Sequence, residues 1–541
     1  MRDEIDIPDC SNTLMPEFTE KDVQKKLENI KAKKAVPPGD IPPLILKTFA
    51  KHLSEPLCNI INWSIKKGQW PKLYKSEIIT PVPKVHPPRS PDDLRNISGL
   101  LTFNKVAEQL ISEVMISDIM KKLDISQYAN QKGVSLQHYL LKLINRILED
   151  TDNRSKNEVN AVLAVMVDWK EAFARQCPKL GIKSFISCGV RGQLIPLLIN
   201  YLQDRTMRVK WKGLLSQPRE LIGGGPQGST FGIWEYLCQS NENAACVPPD
   251  YRYKFVDDLT ILEKIDLLSI GLASFNYRSS VPSHIPTHGQ LIPNEKLKTQ
   301  EYLDYIKAWT DNQKMMLNKI KTTAMIFNFN HDYQFTTNLQ IDENKLELVE
   351  EKKLLGVIVS NDLTWEKNTR YIIKRANSRL ELLRKMSEFS NSIEDKRLIY
   401  IMYVRSILEQ SCIVWHSSLT QQEIEDLERV QRSALKLILG SKYKSYEEGL
   451  VMANLQSLEK RREQLCKKFA KNCIESENER INKIFEFKTK QHKMKTRYEE
   501  KIKVKHANTE RLKKSGIVYM QNLLNIEDNS KYQLMKRMPG S

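Results

Sequence analysis

Two adjacent aspartates, Asp257 and Asp258, interrupt the alternating pattern of Tyr251-Arg-Tyr-Lys-Phe-Val-Asp-Asp-Leu-Thr-Ile-Leu262. That pattern reads as a hairpin with both carboxylates at its tip. Like charges placed there repel and lose hydration, and a divalent cation is the usual compensation. A polar turn without a ligand accounts for the same residues, as it does for Asp92-Asp93 in a proline-rich stretch. A third acid, Asp168, ends the apolar run Ala161-Val-Leu-Ala-Val-Met-Val167, the pattern of a strand buried on both faces. Alone, Asp168 also reads as a strand-end residue capping a following helix. If its strand lies beside the hairpin, the three carboxylates converge and can hold two Mg²⁺ ions roughly 4 Å apart, the arrangement for in-line phosphoryl transfer. A further piece is Gly223-Gly-Gly-Pro-Gln-Gly-Ser229, a glycine-rich loop opening a helix through Ile233, Leu237 and Cys238. Such a loop lets backbone approach a phosphate or base closely, although a tight turn with no ligand has the same composition. It lacks the GK[ST] ending of a phosphate-binding P-loop.

The elements that must position these groups follow from periodicity. Thr19-Glu-Lys-Asp22 reads as a capping box leading into Val23, Leu27 and Ile30 on one helical face. A second helical stretch runs through Leu53, Leu57, Ile60 and Ile61. The segment carrying Pro81, Pro83, Pro87, Pro88 and Pro91 must be loop or extended strand. Helices resume after Phe103, and the strand ending at Asp168 opens a central domain. The hairpin follows, then a proline-containing insertion near Val281 to Pro293 and a strand pair around Leu346 to Ser360. Beyond Trp365 the pattern is helical: Ile372, Ala376, Leu380 and Leu383 form one stripe, and Thr420-x-x-Glu423 caps a helix through Leu427, Ala434 and Ile438 that stops at Gly440. Lys488 to Lys514 holds eleven lysines and arginines against three acids, which reads as a solvated helix or a basic tail rather than a dedicated RNA-binding arm.

Composition narrows the chemistry. At 541 residues the chain is long for one core, so two to four subdomains are expected. The net charge of +18 favours a polyanion, either nucleic acid or an acidic membrane surface. No apolar run approaches the roughly 18 residues of a membrane-spanning helix, and the N-terminus lacks the order of a signal peptide, which favours nucleic acid. The nine cysteines are scattered without a CxxC pair, as expected of free thiols in a reducing, intracellular compartment rather than of structural zinc.

The order and spacing of Val167-Asp-Trp-Lys-Glu-Ala-Phe173, Gly224-Gly-Pro-Gln-Gly228 and Phe255-Val-Asp-Asp258 resemble the A, B and C motifs of reverse transcriptases of non-LTR retrotransposons of the LINE type, jockey/CR1-like. Upstream, Lys34-Ala-Val-Pro-Pro-Gly-Asp-Ile-Pro-Pro43, Gly68-Gln-Trp-Pro-Lys72, Thr80-Pro-Val-Pro-Lys84, Asp93-Leu-Arg-Asn-Ile-Ser98 and Gln127-Tyr-Ala-Asn-Gln-Lys-Gly133 look like the finger motifs of that family. Downstream, Leu317-Asn-Lys-Ile-Lys-Thr322 and Lys353-Leu-Leu-Gly-Val-Ile358 look like its D and E motifs, and Leu408-Glu-Gln, Trp415 and Leu427-Glu-Arg-Val-Gln431 look like its thumb. The likeness covers about residues 20 to 475.

The resemblance implies an α/β (α+β) right-hand polymerase with fingers, palm and thumb around a cationic channel. Its parts would be an N-terminal segment and fingers at 1–158, a palm at 159–365, a helical thumb at 366–475 and a basic C-terminal tail at 476–541. It implies an RNA-directed DNA polymerase that extends a DNA primer on an RNA template from deoxynucleoside triphosphates, with two Mg²⁺ ions, Mn²⁺ being the alternative. Asp168, Asp257 and Asp258 would be the catalytic metal carboxylates. Phe173 would be the gate that excludes a ribose 2′-hydroxyl, which argues against an RNA-templated RNA polymerase. Arg95, Gly225, Gln227, Gly228, Phe255 and Lys321 would contact nucleotide or template. Two departures bear on activity: Ala172-Phe173-Ala174 stands where members read A-F-D, and Arg95-Asn96-Ile97-Ser98 where they read R-P-I-S. They keep open an alternative, a catalytically silent nucleic-acid-binding remnant. The chain carries no endonuclease region upstream and no Cys/His knuckle downstream, so a separate endonuclease is expected. No membrane partner is expected, and nuclear action after cytoplasmic synthesis follows from the family.

Overall fold

A computed structural model describes residues 5–6, 15–33, 36–152, 159–226, 228–269, 290–330, 335–389, 392–485 and 502–525. Helix and sheet are mixed, as an α/β chain requires. The chain forms two compact units, each discontinuous in sequence. The first comprises Met1–Gln127, Asp168–Val247 and Tyr302–Asn318; the second comprises Tyr128–Val167, Pro248–Glu301 and Lys319–Ser541. The strands of the two larger sheets are, along the chain, β1 (Ser76–Pro83), β2 (Leu94–Gly99), β3 (Asn160–Val167), β4 (Thr206–Trp211), β5 (Leu214–Leu215), β6 (Arg219–Glu220), β7 (Arg252–Phe255), β8 (Asp258–Asp266), β9 (Thr323–Phe327) and β10 (Glu347–Leu348).

The first unit opens on the helix Glu20–Glu28, where the capping box is formed: the Thr19 N–H donates to Asp22 Oδ2 at 2.9 Å and the Asp22 N–H returns to Thr19 Oγ1 at 3.3 Å. Val23 and Leu27 on its inner face join a core shared with the helices Ala50–Lys67, Thr102–Ile119, Ile195–Leu202 and Thr230–Gln239. The sheet of this unit runs β2-β1-β4-β5, with β6 paired to β4. The proline-rich segment is extended: β1 lies antiparallel to β2 with Val82 opposite Arg95. Its other edge is parallel to β4 only over Ser76 to Ile79, before the prolines, which have no N–H to give a ladder.

The second unit is built on a sheet ordered β10-β9-β3-β8-β7. Its centre is β3, and all eight of its residues are buried, as the unbroken apolar run predicts. The insertion expected near Val281 to Pro293 lies outside the described residues as far as 289, and a strand at Gln290–Ile292 follows. The strand pair Glu351–Leu354 and Val357–Ser360 then leads into helices. Ile372, Ala376, Leu380 and Leu383 form the buried stripe of Glu366–Phe389. Thr420 and Glu423 make the capping box of Gln421–Leu439, which ends at Gly440 with φ +57°.

One expectation is corrected here. The segment read as a solvated basic tail is packed over the described residues 476–485 and 502–525. Ile481, Ile484, Phe485, Ile502, Leu512, Ile517, Met520 and Leu524 are buried. Leu512 joins the core around Trp415, and the others lie with Leu141, Ile413, Cys466 and Phe469. Its sparse apolar residues are spaced so that the lysines stay on the outside while the chain is pinned. Among the described residues no single helix is long and apolar enough to cross a membrane, and the eight described cysteines are free thiols.

Candidate active site

In the second unit, the register of β3 and β8 sets Val167 opposite Leu259. Asp168 follows Val167 directly along the chain, and Asp258 directly precedes Leu259. The β7–β8 turn is the shortest kind, with Phe255 paired to Asp258 and only Val256 and Asp257 between them. Val256 has φ +58° while Asp257 does not have positive φ, the pattern of a type II′ turn, whose first central position glycine normally fills. A β-branched residue there is strained by about 1–2 kcal/mol, and the packing of the hairpin holds it. Asp257 and Asp258 are both exposed at this tip. Beneath them the buried Tyr139 hydroxyl donates to Thr260 Oγ1 at 2.7 Å. Burial, helped by the charge of Asp258, pushes the Tyr139 phenol far up, so it stays protonated as a donor. The Phe255 ring is edge-on to Tyr139 at 6.3 Å. On the other side of β3, β9 pairs Thr323 with Met166, so Lys321, exposed, precedes β9 at the same sheet edge. Its carbonyl accepts from Lys352 Nζ at 3.0 Å.

In the first unit the chain leaving β3 does not enter a helix: turns occupy 170–175, and the next helix, Pro178–Ser187, is capped at Cys177. Asp168 is therefore not a helix cap. The Asn318 N–H donates to the Asp168 carbonyl and the Lys170 N–H to the Met316 carbonyl, both at 2.8 Å, which fixes the backbone on either side of Trp169. Phe173 is half-buried with its ring 4.9 Å from that of Tyr236. The glycine-rich loop is tied to this segment by backbone: the Gly224 N–H donates to the Gln176 carbonyl at 2.8 Å and the Gly225 N–H to the Phe173 carbonyl at 3.2 Å. Gly224 has φ +84°, and a Cβ there would stand 2.9 Å from the Ala174 carbonyl oxygen, so glycine is required twice over. Gly228 approaches the Ser98 carbonyl of β2, the strand that carries the exposed Arg95. Gln227 lies outside the described residues.

Below the loop sits a buried polar set that sequence reasoning missed. Glu108 Oε2 accepts the Thr230 N–H at 2.8 Å, at the start of the helix Thr230–Gln239, and its Oε1 accepts from Asn104 Nδ2 at 2.6 Å and the Tyr201 hydroxyl at 2.7 Å. A carboxylate at a helix N-terminus suits the unpaired N–H groups there. Burial pushes Glu108 upward, against these hydrogen bonds and the charge of Arg205. Arg205, itself buried, lies 3.8 Å from the buried Glu77. Glu235, on the same helix as Thr230, is 1% exposed; neither carboxyl oxygen has a hydrogen-bond partner, and burial pushes it up to about 8, with Arg205 opposing. Its Oε2 stands 3.4 Å, and Gln176 Oε1 2.3 Å, from where a Cβ on Gly225 would be. The available signal was a charged residue on an otherwise apolar helical face, as in Val106-Ala107-Glu108 and Trp234-Glu235-Tyr236.

The structure thus joins Phe173 with Gly225 in one unit, and Phe255, Asp257, Asp258 and Lys321 along one sheet edge in the other. It does not draw the acids into a metal cluster: among the described residues no three His, Cys, Asp or Glu side chains are gathered as a metal-binding group. The donor chemistry nevertheless fits a hard divalent cation, because Asp257 and Asp258 offer exposed carboxylate oxygens, the ligand type such an ion takes.

The site's parts are thus a short antiparallel hairpin with paired acids at its tip, a strand followed by a third acid, and a glycine-rich loop tied by backbone to the segment after that acid, all on a mixed helix-and-sheet chain. The chain is 25% identical over 394 residues, 72% of its length, to the probable RNA-directed DNA polymerase from transposon BS of Drosophila melanogaster, covering 41% of that protein. It is 23% identical over 395 residues, 71% of its length, to the probable RNA-directed DNA polymerase from transposon X-element of the same fly, covering 40% of it. To the RNA-directed DNA polymerase from mobile element jockey it is 26% identical over 275 residues, half of this chain and 27% of that one. No family model matches the chain. The resemblance to reverse transcriptases of non-LTR retrotransposons is borne out by these homologues, and the chain spans about two fifths of the length of the first two.

Proposed function

We propose that this chain is the polymerase core of a reverse transcriptase, extending a DNA primer on an RNA template from deoxynucleoside triphosphates. One observation carries the reading: Val167 and Leu259 form the last β3–β8 pair, with Asp168 following one and Asp258 preceding the other, and Asp257 beside it on a two-residue turn. In the right-hand plan, 159–365 is the palm, 366–475 the thumb and 1–158 the fingers. Asp168, Asp257 and Asp258 would hold Mg²⁺, which when bound supplies Lewis-acid activation of the primer hydroxyl and neutralises triphosphate charge. The residues' own tasks are positional. The II′ turn holds Asp257 forward, the buried Tyr139–Thr260 hydrogen bond stiffens the hairpin below it, and Phe173, braced on Tyr236, excludes a ribose 2′-hydroxyl. Arg95 and Lys321, both exposed, are assigned to phosphate contacts of template or triphosphate, and Gly225, Gln227 and Gly228 to the nascent base pair.

A second reading, a silent nucleic-acid-binding remnant, is favoured by Ala174, exposed where the family carries an acid, and by the ungathered carboxylates. Primer extension on RNA with Mg²⁺ separates the two. Wild type is expected to extend, and Asp168→Ala or Asp257→Ala to lose about three orders of magnitude in rate, ~4 kcal/mol of barrier. Equal extension by the variants sinks the site assignment; RNA binding with no extension by any of them establishes the remnant.

A further inference from the structure

The second unit contains a cavity of about 430 Å³ well away from the carboxylates. Asp250, on its wall, stands before β7, at the foot of the strand whose other end enters the Val256–Asp257 turn; the four residues of β7, at about 3.3 Å each, alone put roughly 13 Å between it and the tip. Three stretches far apart in sequence supply its cations: Lys142 and Arg146, one turn apart on the helix Leu136–Asp150; Lys483, just past the helix Glu479–Asn482; and Lys503 with Lys505 from the C-terminal segment. Only two lining carboxylates face these five, Glu149 and Asp250. Glu149 is bonded to Lys505, while Arg146 is braced by Asp150 at 2.9 Å and Lys483 by Glu479 at 2.9 Å. Lys142 is half-buried; burial lowers its pKa, Asp250 opposes this, and Arg480 lowers it further.

A chain that merely kept its lysines solvated would not turn them toward one concavity. The C-terminal segment is pinned by its apolar residues, so Lys503 and Lys505 are delivered there by folding. Ammonium groups are compact point donors, suited to phosphate oxygens, and the volume is that of about fourteen waters at ~30 Å³ each, room for more than one phosphate.

We propose that this cavity is a second polyanion site, which binds consecutive phosphates of an RNA backbone or of a free polyphosphate. It goes beyond the polymerase reading, and its test needs no nucleotide addition. The full chain is labelled with an amine-acetylating reagent alone, with oligouridylate, or with inorganic tripolyphosphate, and Lys142 and Lys503 are read by mass spectrometry. In parallel, oligouridylate affinity is measured against salt for wild type and for Lys483→Glu/Lys503→Glu, both exposed residues whose change leaves the cores intact. Protection of Lys142 by both polyanions, with the variant's slope of log affinity against log salt shallower by about 1.4 for two lost phosphate contacts, establishes an RNA site. Protection by tripolyphosphate alone, with unchanged slope, establishes a site for free polyphosphate. Absence of protection by either overturns the proposal, whatever the slope does.

Discussion

Glu235 is a residue whose ionisation the fold controls directly. In the unfolded chain it titrates near 4.5, and in the folded one near 8, because burial without a hydrogen-bond partner disfavours its charge. A raised folded pKa gives stability that is full below about pH 4.5 and is lost as pH rises toward 8, since only the unfolded state gives up the proton across that window. The span corresponds to roughly 3–5 kcal/mol. Glu77 and Glu108 are shifted in the same direction, so the comparison must be between proteins rather than between pH values. We expect Glu235→Gln to unfold at nearly the same urea concentration as wild type at pH 5 and at a clearly higher one at pH 8. Parallel pH curves for the two proteins would refute the assignment. The sequence offered only a faint sign of this, a charged residue within the apolar stretch Trp234-Glu235-Tyr236, whereas Asp168, Asp257 and Asp258 stand out as candidates because strand patterns break visibly around them.

Elements defined by local periodicity were readable in advance. The β7–β8 hairpin, the buried strand β3, the stripe of Glu366–Phe389 and the capping boxes at Thr19 and Thr420 all depend on residues a few positions apart. The C-terminal segment was misread because what pins it is remote in sequence. Asp152 accepts hydrogen bonds from the Asn508 and Thr509 N–H groups, the nearer at 2.7 Å, and from both side chains. Ser417 and Ser418 donate to the Lys514 carbonyl. A carboxylate at the Thr509 cap satisfies donors that would otherwise be orphaned. Asp152→Ala should therefore release this element locally, at a cost of about 2 kcal/mol. Amide exchange over 508–525 is expected to quicken about thirtyfold at constant exchange elsewhere in the helices 421–474. Unchanged protection would mean that the apolar contacts of Ile517, Met520 and Leu524 suffice alone.

At the scale of the molecule, the chain passes between its two compact units five times, so each unit is assembled from segments far apart in sequence. Periodicity cannot reveal such interleaving, because it reports which face of an element is buried and not which partner buries it. Charge, in contrast, is a property of the whole sequence: 84 lysines and arginines against 66 acids. If the excess serves nucleic acid, binding must be dominated by counterion release. Six phosphate contacts on a single strand would give a slope near −4, so RNA affinity should fall on the order of a hundred- to thousandfold between 50 and 200 mM salt. Fluorescence anisotropy with an oligouridylate checks this without reference to catalysis, and it discriminates sharply. A weak salt dependence would assign the positive charge to solubility and leave both the template role and the second polyanion site without their driving force; a steep one in wild type and in Asp257→Ala alike would place binding and chemistry on separate residues.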